Sequence, residues 1–143
     1  MKLKVFACLL FIVLNLTCIN RASETVTFTL TITNIETTSG HLSIGIYDDP
    51  NFWLTNSPFA KQWVPVTSTP NKTLTFTVPE GFYSIGIYHD KNSNKKLDSY
   101  FFGMPKEPYA LSNIDGPLYR SPKFEDSLIN ISPSANSLIL SLR

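Results

Sequence analysis

Between Thr25 and Thr33 apolar and polar residues alternate, with Val26, Phe28, Leu30 and Ile32 separated by threonines. A period of two with β-branched residues on the wet side predicts a half-buried antiparallel strand. Ser39-Gly40 turns the chain into a second such run, whose inward set is Leu42, Ile44 and Ile46. Thr73 to Val78 alternates in the same way, and Pro79-Glu80-Gly81 turns it into the run Tyr83 to Tyr88. The runs Ser127 to Ile131 and Ser137 to Leu142 flank the turn residues Pro133 to Asn136. Short strands, frequent turn signals and no sustained helical period predict an all-β fold, an immunoglobulin-like or transthyretin-like antiparallel β-sandwich with one long inserted loop.

Two runs echo each other: Ser43-Ile-Gly-Ile-Tyr47 and Ser84-Ile-Gly-Ile-Tyr88. Two similar strands in similar surroundings explain this better than a duplicated unit, because true repeats usually recur three times or more. A glycine inside a strand weakens it unless something bulky crosses close by. Gly45 and Gly86 therefore predict central strands crossed by a large group.

The first residues do not fit this pattern. Met1-Lys-Leu-Lys4 leads into the apolar run Val5 to Leu14, a basic start and a core too short for a membrane span. This predicts a secretory signal peptide over residues 1–22 and one β-sandwich domain over 23–143, with no transmembrane segment in the mature chain. Cys18 raises lipidation as an alternative, although Thr17 stands where a small residue usually precedes a lipid-modified cysteine. Both cysteines, Cys8 and Cys18, fall in the leader, so no disulfide is expected in the domain. Its removal takes Lys2, Lys4 and Arg21 from a formal charge of +1, leaving −2. Nothing in that balance points to nucleic acid, and the leader implies a periplasmic or extracellular address.

Two segments resist a strand reading. Asp48 to Trp63 is rich in aromatic residues, among them Phe52, Trp53, Phe59 and Trp63, and reads as a loop packing its rings over a sheet edge or as an exposed platform. From His89 to Asp126 the chain shows no clear period, yet it is too apolar for a solvated linker, so it must be anchored. A candidate anchor is His89-Asp-Lys-Asn-Ser-Asn-Lys-Lys-Leu-Asp98. Asp90, Asn92, Asn94 and Asp98 occupy the first, third, fifth and ninth places of a calcium loop, with the Lys96 carbonyl at the seventh. Lys95 stands where such loops carry glycine, and Phe101 where an EF-hand has its bidentate glutamate, so Glu107 is the expected further carboxylate. The competing reading is a metal-free turn in which Asp and Asn bond their own backbone.

The run Gly81 to Asp98, followed by Phe102-Gly-Met-Pro-Lys-Glu-Pro-Tyr109, Leu111-Ser-Asn113 and Pro122-Lys-Phe-Glu-Asp126, resembles the bacterial exported domain-of-unknown-function family 2141. Its members show H-D-x-N-x-N-G-K-L-D and then G-x-P-x-E-x-Y-G-F-S-N. The resemblance covers the mature chain and implies an envelope or secreted β-sandwich without an assigned activity. Asp90, Asn92, Asn94, Asp98 and Glu107 match the pattern, which favours the cation site and, with oxygen donors only, calcium. Lys95 replaces the family's glycine, Ala110-Leu111 its Gly-Phe, and Ser127 its alanine.

Catalytic signals are weak. The mature histidines are His41 and His89, and there is no G-x-S-x-G elbow, H-E-x-x-H or cysteine nucleophile. His89 with Ser84 or Ser112, or a carboxylate pair among Glu107, Asp115 and Glu125, leaves a hydrolase as the weakest reading. A strand-end histidine bonding a loop carbonyl is the commoner arrangement. The favoured expectation is a binding module for an envelope or extracellular glycan or protein, displaying Tyr100, Phe101, Tyr109 and Tyr119 from a calcium-held loop. A purely structural envelope component is the alternative.

Overall fold

The structure, a computed structural model, describes residues 24–116, 118 and 120–143. The leader with Cys8 and Cys18, and the aromatic candidate Tyr119, lie outside the described residues.

The described residues form eight strands: β1 (Thr25–Thr33), β2 (His41–Tyr47), β3 (Ala60–Pro65), β4 (Lys72–Pro79), β5 (Gly81–Asp90), β6 (Tyr109–Leu111), β7 (Leu128–Ile131) and β8 (Ser137–Ser141). Short 3-10 turns at Pro50–Phe52 and Glu125–Ser127 interrupt the connections. The strands make two sheets, one ordered β4-β1-β8 and the other β3-β2-β5-β6, with β7 also pairing β5. Pairing is antiparallel throughout except between β1 and β8, which run parallel. The β-sandwich expected from the alternation is what the chain forms.

The alternation decides which faces meet. Val26, Phe28, Leu30 and Ile32 of β1 are buried together with Leu42, Ile44 and Ile46 of β2 and Ile85 and Ile87 of β5. Each such side chain contributes roughly 1.5–3 kcal/mol when fully removed from water. The threonines of β1 point outward, and Thr31 meets Thr73 of β4 at 3.2 Å.

The second sheet departs from the half-buried expectation, because β2 and β5 are buried on both faces. Ser43 and Tyr47 are covered, as are Ser84 and Gly86, although all belong to the face turned away from the first sheet. The long excursion after β5 and the aromatic segment after β2 supply that cover. Two strands lie inside segments read as loops. β3 is a half-buried edge strand, so its apolar pattern is diluted. β6 has only three residues, too few to show a period.

The echoed runs turn out to be neighbours. Gly45 pairs with Gly86, Ser43 with Tyr88 and Tyr47 with Ser84, so the two glycines face each other at the centre of the sheet. A Cβ on Gly45 would lie 2.6 Å from the Tyr47 ring, and one on Gly86 3.0 Å from Leu54. The crossing groups expected from the glycines are therefore Tyr47 and Leu54.

Candidate functional site

At the end of β5 the chain curls, and its polar side chains converge. The Asp90 carboxylate is fully buried; its Oδ1 accepts the Asn94 N–H at 3.0 Å and its Oδ2 the Lys95 N–H at 2.7 Å. Asn92 Oδ1 shares the Asn94 N–H at 3.0 Å, and Asn94 Oδ1 accepts the Lys96 N–H at 2.9 Å. Both amide groups turn to Asp98: Asn92 Nδ2 donates to Oδ2 at 2.7 Å, and Asn94 Nδ2 reaches both carboxylate oxygens at 3.1 and 3.2 Å. A buried carboxylate is tolerated only when partnered, and here the partners are the loop's own amides.

Glu107 closes the loop from behind. Its Oε1 accepts the Lys91 N–H at 2.8 Å and its Oε2 the Asp98 N–H at 3.1 Å, so one carboxylate grips both ends of the curl. The backbone of Ser93 and Lys95 lies in the left-handed region, at φ 60° and 64°. Lys95 thus holds the conformation that glycine supplies in calcium loops, at a cost of about 1–2 kcal/mol for a side-chain-bearing residue. The lysines turn outward: Lys95 Nζ lies 5.2 Å from the centroid of Trp63, and Lys91 Nζ 3.6 Å from Glu36.

All six residues expected around a cation thus belong to one hydrogen-bonded cluster. Their donors are oxygens, and carboxylate oxygens that accept one N–H keep a further lone pair. To ligate alongside Asp98, Asn92 and Asn94 have to exchange Nδ2 for Oδ1 by turning their amides. Among the described residues no three His, Cys, Asp or Glu side chains gather as a cation-holding group. Asp90 and Asp98 and the amide oxygens are therefore the donors on offer, with Lys96 joining the cluster through its N–H and Glu107 engaged at the loop ends.

Beyond this loop the excursion makes a hairpin. Lys106 N–H bonds the Asp98 carbonyl and Tyr100 N–H the Met104 carbonyl, both at 2.8 Å. Its tip carries Phe101 at 99% and Phe102 at 85% exposure. Tyr100 is exposed beneath Lys106, whereas Tyr109 is half-buried in β6 under the Arg143 guanidinium. Of the expected aromatic surface, Tyr100 and Phe101 are displayed and Tyr109 is partly covered.

The hairpin and the aromatic segment wall a cleft of about 560 Å³ on the outer face of the second sheet. Its floor follows from the register: one cross-strand row runs Lys61, Gly45, Gly86, Leu111, and the next contributes Ser43, Tyr88 and Tyr109, with Trp63 beyond the lining at its β3 end. Tyr47 and Leu54 pave the two glycines, Tyr47 donating its hydroxyl to the Thr55 carbonyl at 3.0 Å. Burial and the neighbouring Tyr88 push the Tyr47 phenol up to about 12. Trp53 packs edge-on against Tyr47 and Phe124 and donates to the Pro122 carbonyl at 3.0 Å, while Phe52 and Phe59 stay exposed. The aromatic segment is thus partly a packed cover and partly a rim. The cleft was not legible as such in the sequence; its one signal was the glycine pair, which marks a trough without saying what lines it.

His89, Ser84 and Ser112, considered for catalysis, make hydrogen bonds to backbone groups. His89 is buried, its Nε2 donating to the Ser39 carbonyl at 2.7 Å. Ser84 Oγ donates to the Phe124 carbonyl at 2.7 Å, and Ser112 Oγ accepts the Ile85 N–H at 2.8 Å and donates to the Ser127 carbonyl. Asp115 and Glu125 are exposed, apart from the buried Glu107.

A family model described as "Uncharacterized protein conserved in bacteria (DUF2141)" matches residues 30–138. No curated protein and no solved structure matches the chain.

Proposed function

We propose that this chain, which belongs to the bacterial family DUF2141, is an exported binding module of the cell envelope or extracellular space. Its cleft receives the ligand, and its 90–98 loop holds one calcium ion that keeps the adjoining wall in place. The observation that carries this reading is the cleft itself. Two segments outside the inter-sheet core, the aromatic segment after β2 and the excursion after β5, are spent on walling about 560 Å³ over a glycine-paved sheet face. Pockets of that size are typical of small-molecule sites. The calcium part is supported by the convergence of Asp90, Asn92, Asn94 and Asp98 and by the left-handed Lys95. With the Lys96 carbonyl they make an all-oxygen donor set of the kind calcium prefers, with an affinity near the ~10⁻⁴–10⁻³ M of extracellular modules.

Thermal melts of the mature protein in millimolar calcium and in chelator test the ion. Saturation tenfold to a hundredfold above the dissociation constant adds about 1.4–2.7 kcal/mol, a rise of several degrees. Identical melts sink the calcium site and leave a self-bonded turn. Binding is tested separately with panels of glycans, peptides and amphiphiles. A chain that binds none of them is a scaffold.

A further inference from the structure

The cleft has a chemical polarity. Among the described residues its lining includes Lys61, Lys95, Lys96 and Arg120 and no aspartate or glutamate. Arg120 is occupied, its Nη2 lying 2.7 Å from Asp126 and holding that carboxyl below the usual range. Among the described residues no carboxylate lies within ion-pair distance of Lys61, Lys95 or Lys96. Lys61 and Lys95 lie at the β3 end, whereas Arg120, neutralised by Asp126, lies beyond β6, where Asn113 Nδ2 donates to the Asp126 carbonyl. Lys61 and Trp63 stand two residues apart on the same face of edge strand β3, and Lys95 Nζ lies 5.2 Å from the centroid of the Trp63 ring, on which His41 also stacks. The opposite end of the same cross-strand row is Leu111 of β6. Leu118, Phe102 and Met104 add further apolar surface to the lining.

A pocket that is cationic at one edge and apolar at the other is complementary to a molecule with the reverse arrangement. Resting on the binding-module reading, we infer that the cleft takes a monomeric anionic amphiphile, with its carboxylate or phosphate head at Lys61 and Lys95 and its hydrocarbon body directed toward Leu111. A neutral sugar or an extended peptide leaves those lysines unmatched. An unpaired cationic edge beside an apolar trough selects against cationic amphiphiles by like charge.

Calorimetric titration of the mature protein tests this, using dodecanoate and dodecyl phosphate as monomers. The comparators are dodecyl maltoside, dodecyltrimethylammonium, inorganic phosphate, and vesicles of phosphatidylglycerol or phosphatidylcholine. The two anionic amphiphiles are expected to bind at least about tenfold more tightly than the neutral and cationic ones, with inorganic phosphate weaker still. Lys61→Gln together with Lys95→Gln is expected to remove about tenfold of that affinity without altering the binding of dodecyl maltoside. Equal binding of maltoside and dodecanoate overturns the head-group assignment while the binding module stands. Binding of glycans or peptides without amphiphiles does the same. Binding of phosphatidylglycerol vesicles but not of monomers replaces a pocket with a membrane-contact surface. Absence of binding by every amphiphile overturns this inference, and the reading beneath it falls only when the glycan and peptide panels bind nothing either.

Discussion

Glu107 shows what a single side chain contributes here, because both its oxygens are spent on backbone N–H groups at opposite ends of one loop. Glu107→Gln keeps the size but turns an amide NH₂ toward Lys91 or Asp98, leaving a part-buried N–H unsatisfied. A loss of about 1–3 kcal/mol is expected, measured by denaturant unfolding with chelator present, together with faster amide exchange at Lys91 and Asp98. The residue was legible as the partner of the loop from its chemistry and its place in the motif. Its contacts were not, since sequence does not say whether a carboxylate faces an ion or an amide. Gly40 is the second case. It sits at φ 71°, and a Cβ there would lie 2.0 Å from the Asp90 carbonyl oxygen. Gly40→Ala is expected to cost at least about 2 kcal/mol in the same assay, from the left-handed backbone and the clash together.

Among the elements, the hairpin after the loop contrasts with the strands around it. β1, β2 and β5 were readable because a period of two over seven or more residues survives local noise. β3 was not, because an edge strand needs only partial burial and can carry Lys61, Gln62 and Pro65. β6 owes its existence to the pairing Gly86 to Leu111 and Tyr88 to Tyr109, which no local pattern announces. The hairpin tip carries two largely exposed phenylalanines, which pack edge-on against each other. Phe101→Ser is expected to leave the unfolding free energy within about 0.5 kcal/mol of the parent, whereas an equivalent change at Phe28, buried in β1, removes several kcal/mol. A loss of more than about 1 kcal/mol of unfolding free energy for Phe101→Ser means that the tip packs on the domain.

For the molecule as a whole, the second sheet works as a shared wall, with the core on one face and the cleft on the other. Tyr47 reports on that second face. Its phenol ionises near 12 when folded against 10.0 when free, because burial disfavours the phenolate and Tyr88 adds like-charge repulsion. The unfolded chain releases this proton first, so the associated stability is complete below pH 10.0 and declines as pH rises toward about 12. Unfolding midpoints of the parent are expected to fall across that window more steeply than those of Tyr47→Phe. Sandwich class was legible because alternation and turns are local, whereas the cleft depends on how two segments close over distant strands. The parallel pairing of β1 with β8 is the longest-range of these closures, and beside it Asn34 donates to the Leu142 carbonyl at 2.7 Å across 108 residues. A ribosome therefore completes the first strand's neighbours only after it has added 108 residues beyond the point where β1 itself is made. Until then β1 keeps one bare edge of unsatisfied amides, and any assistant that holds the growing polypeptide has that edge to shield.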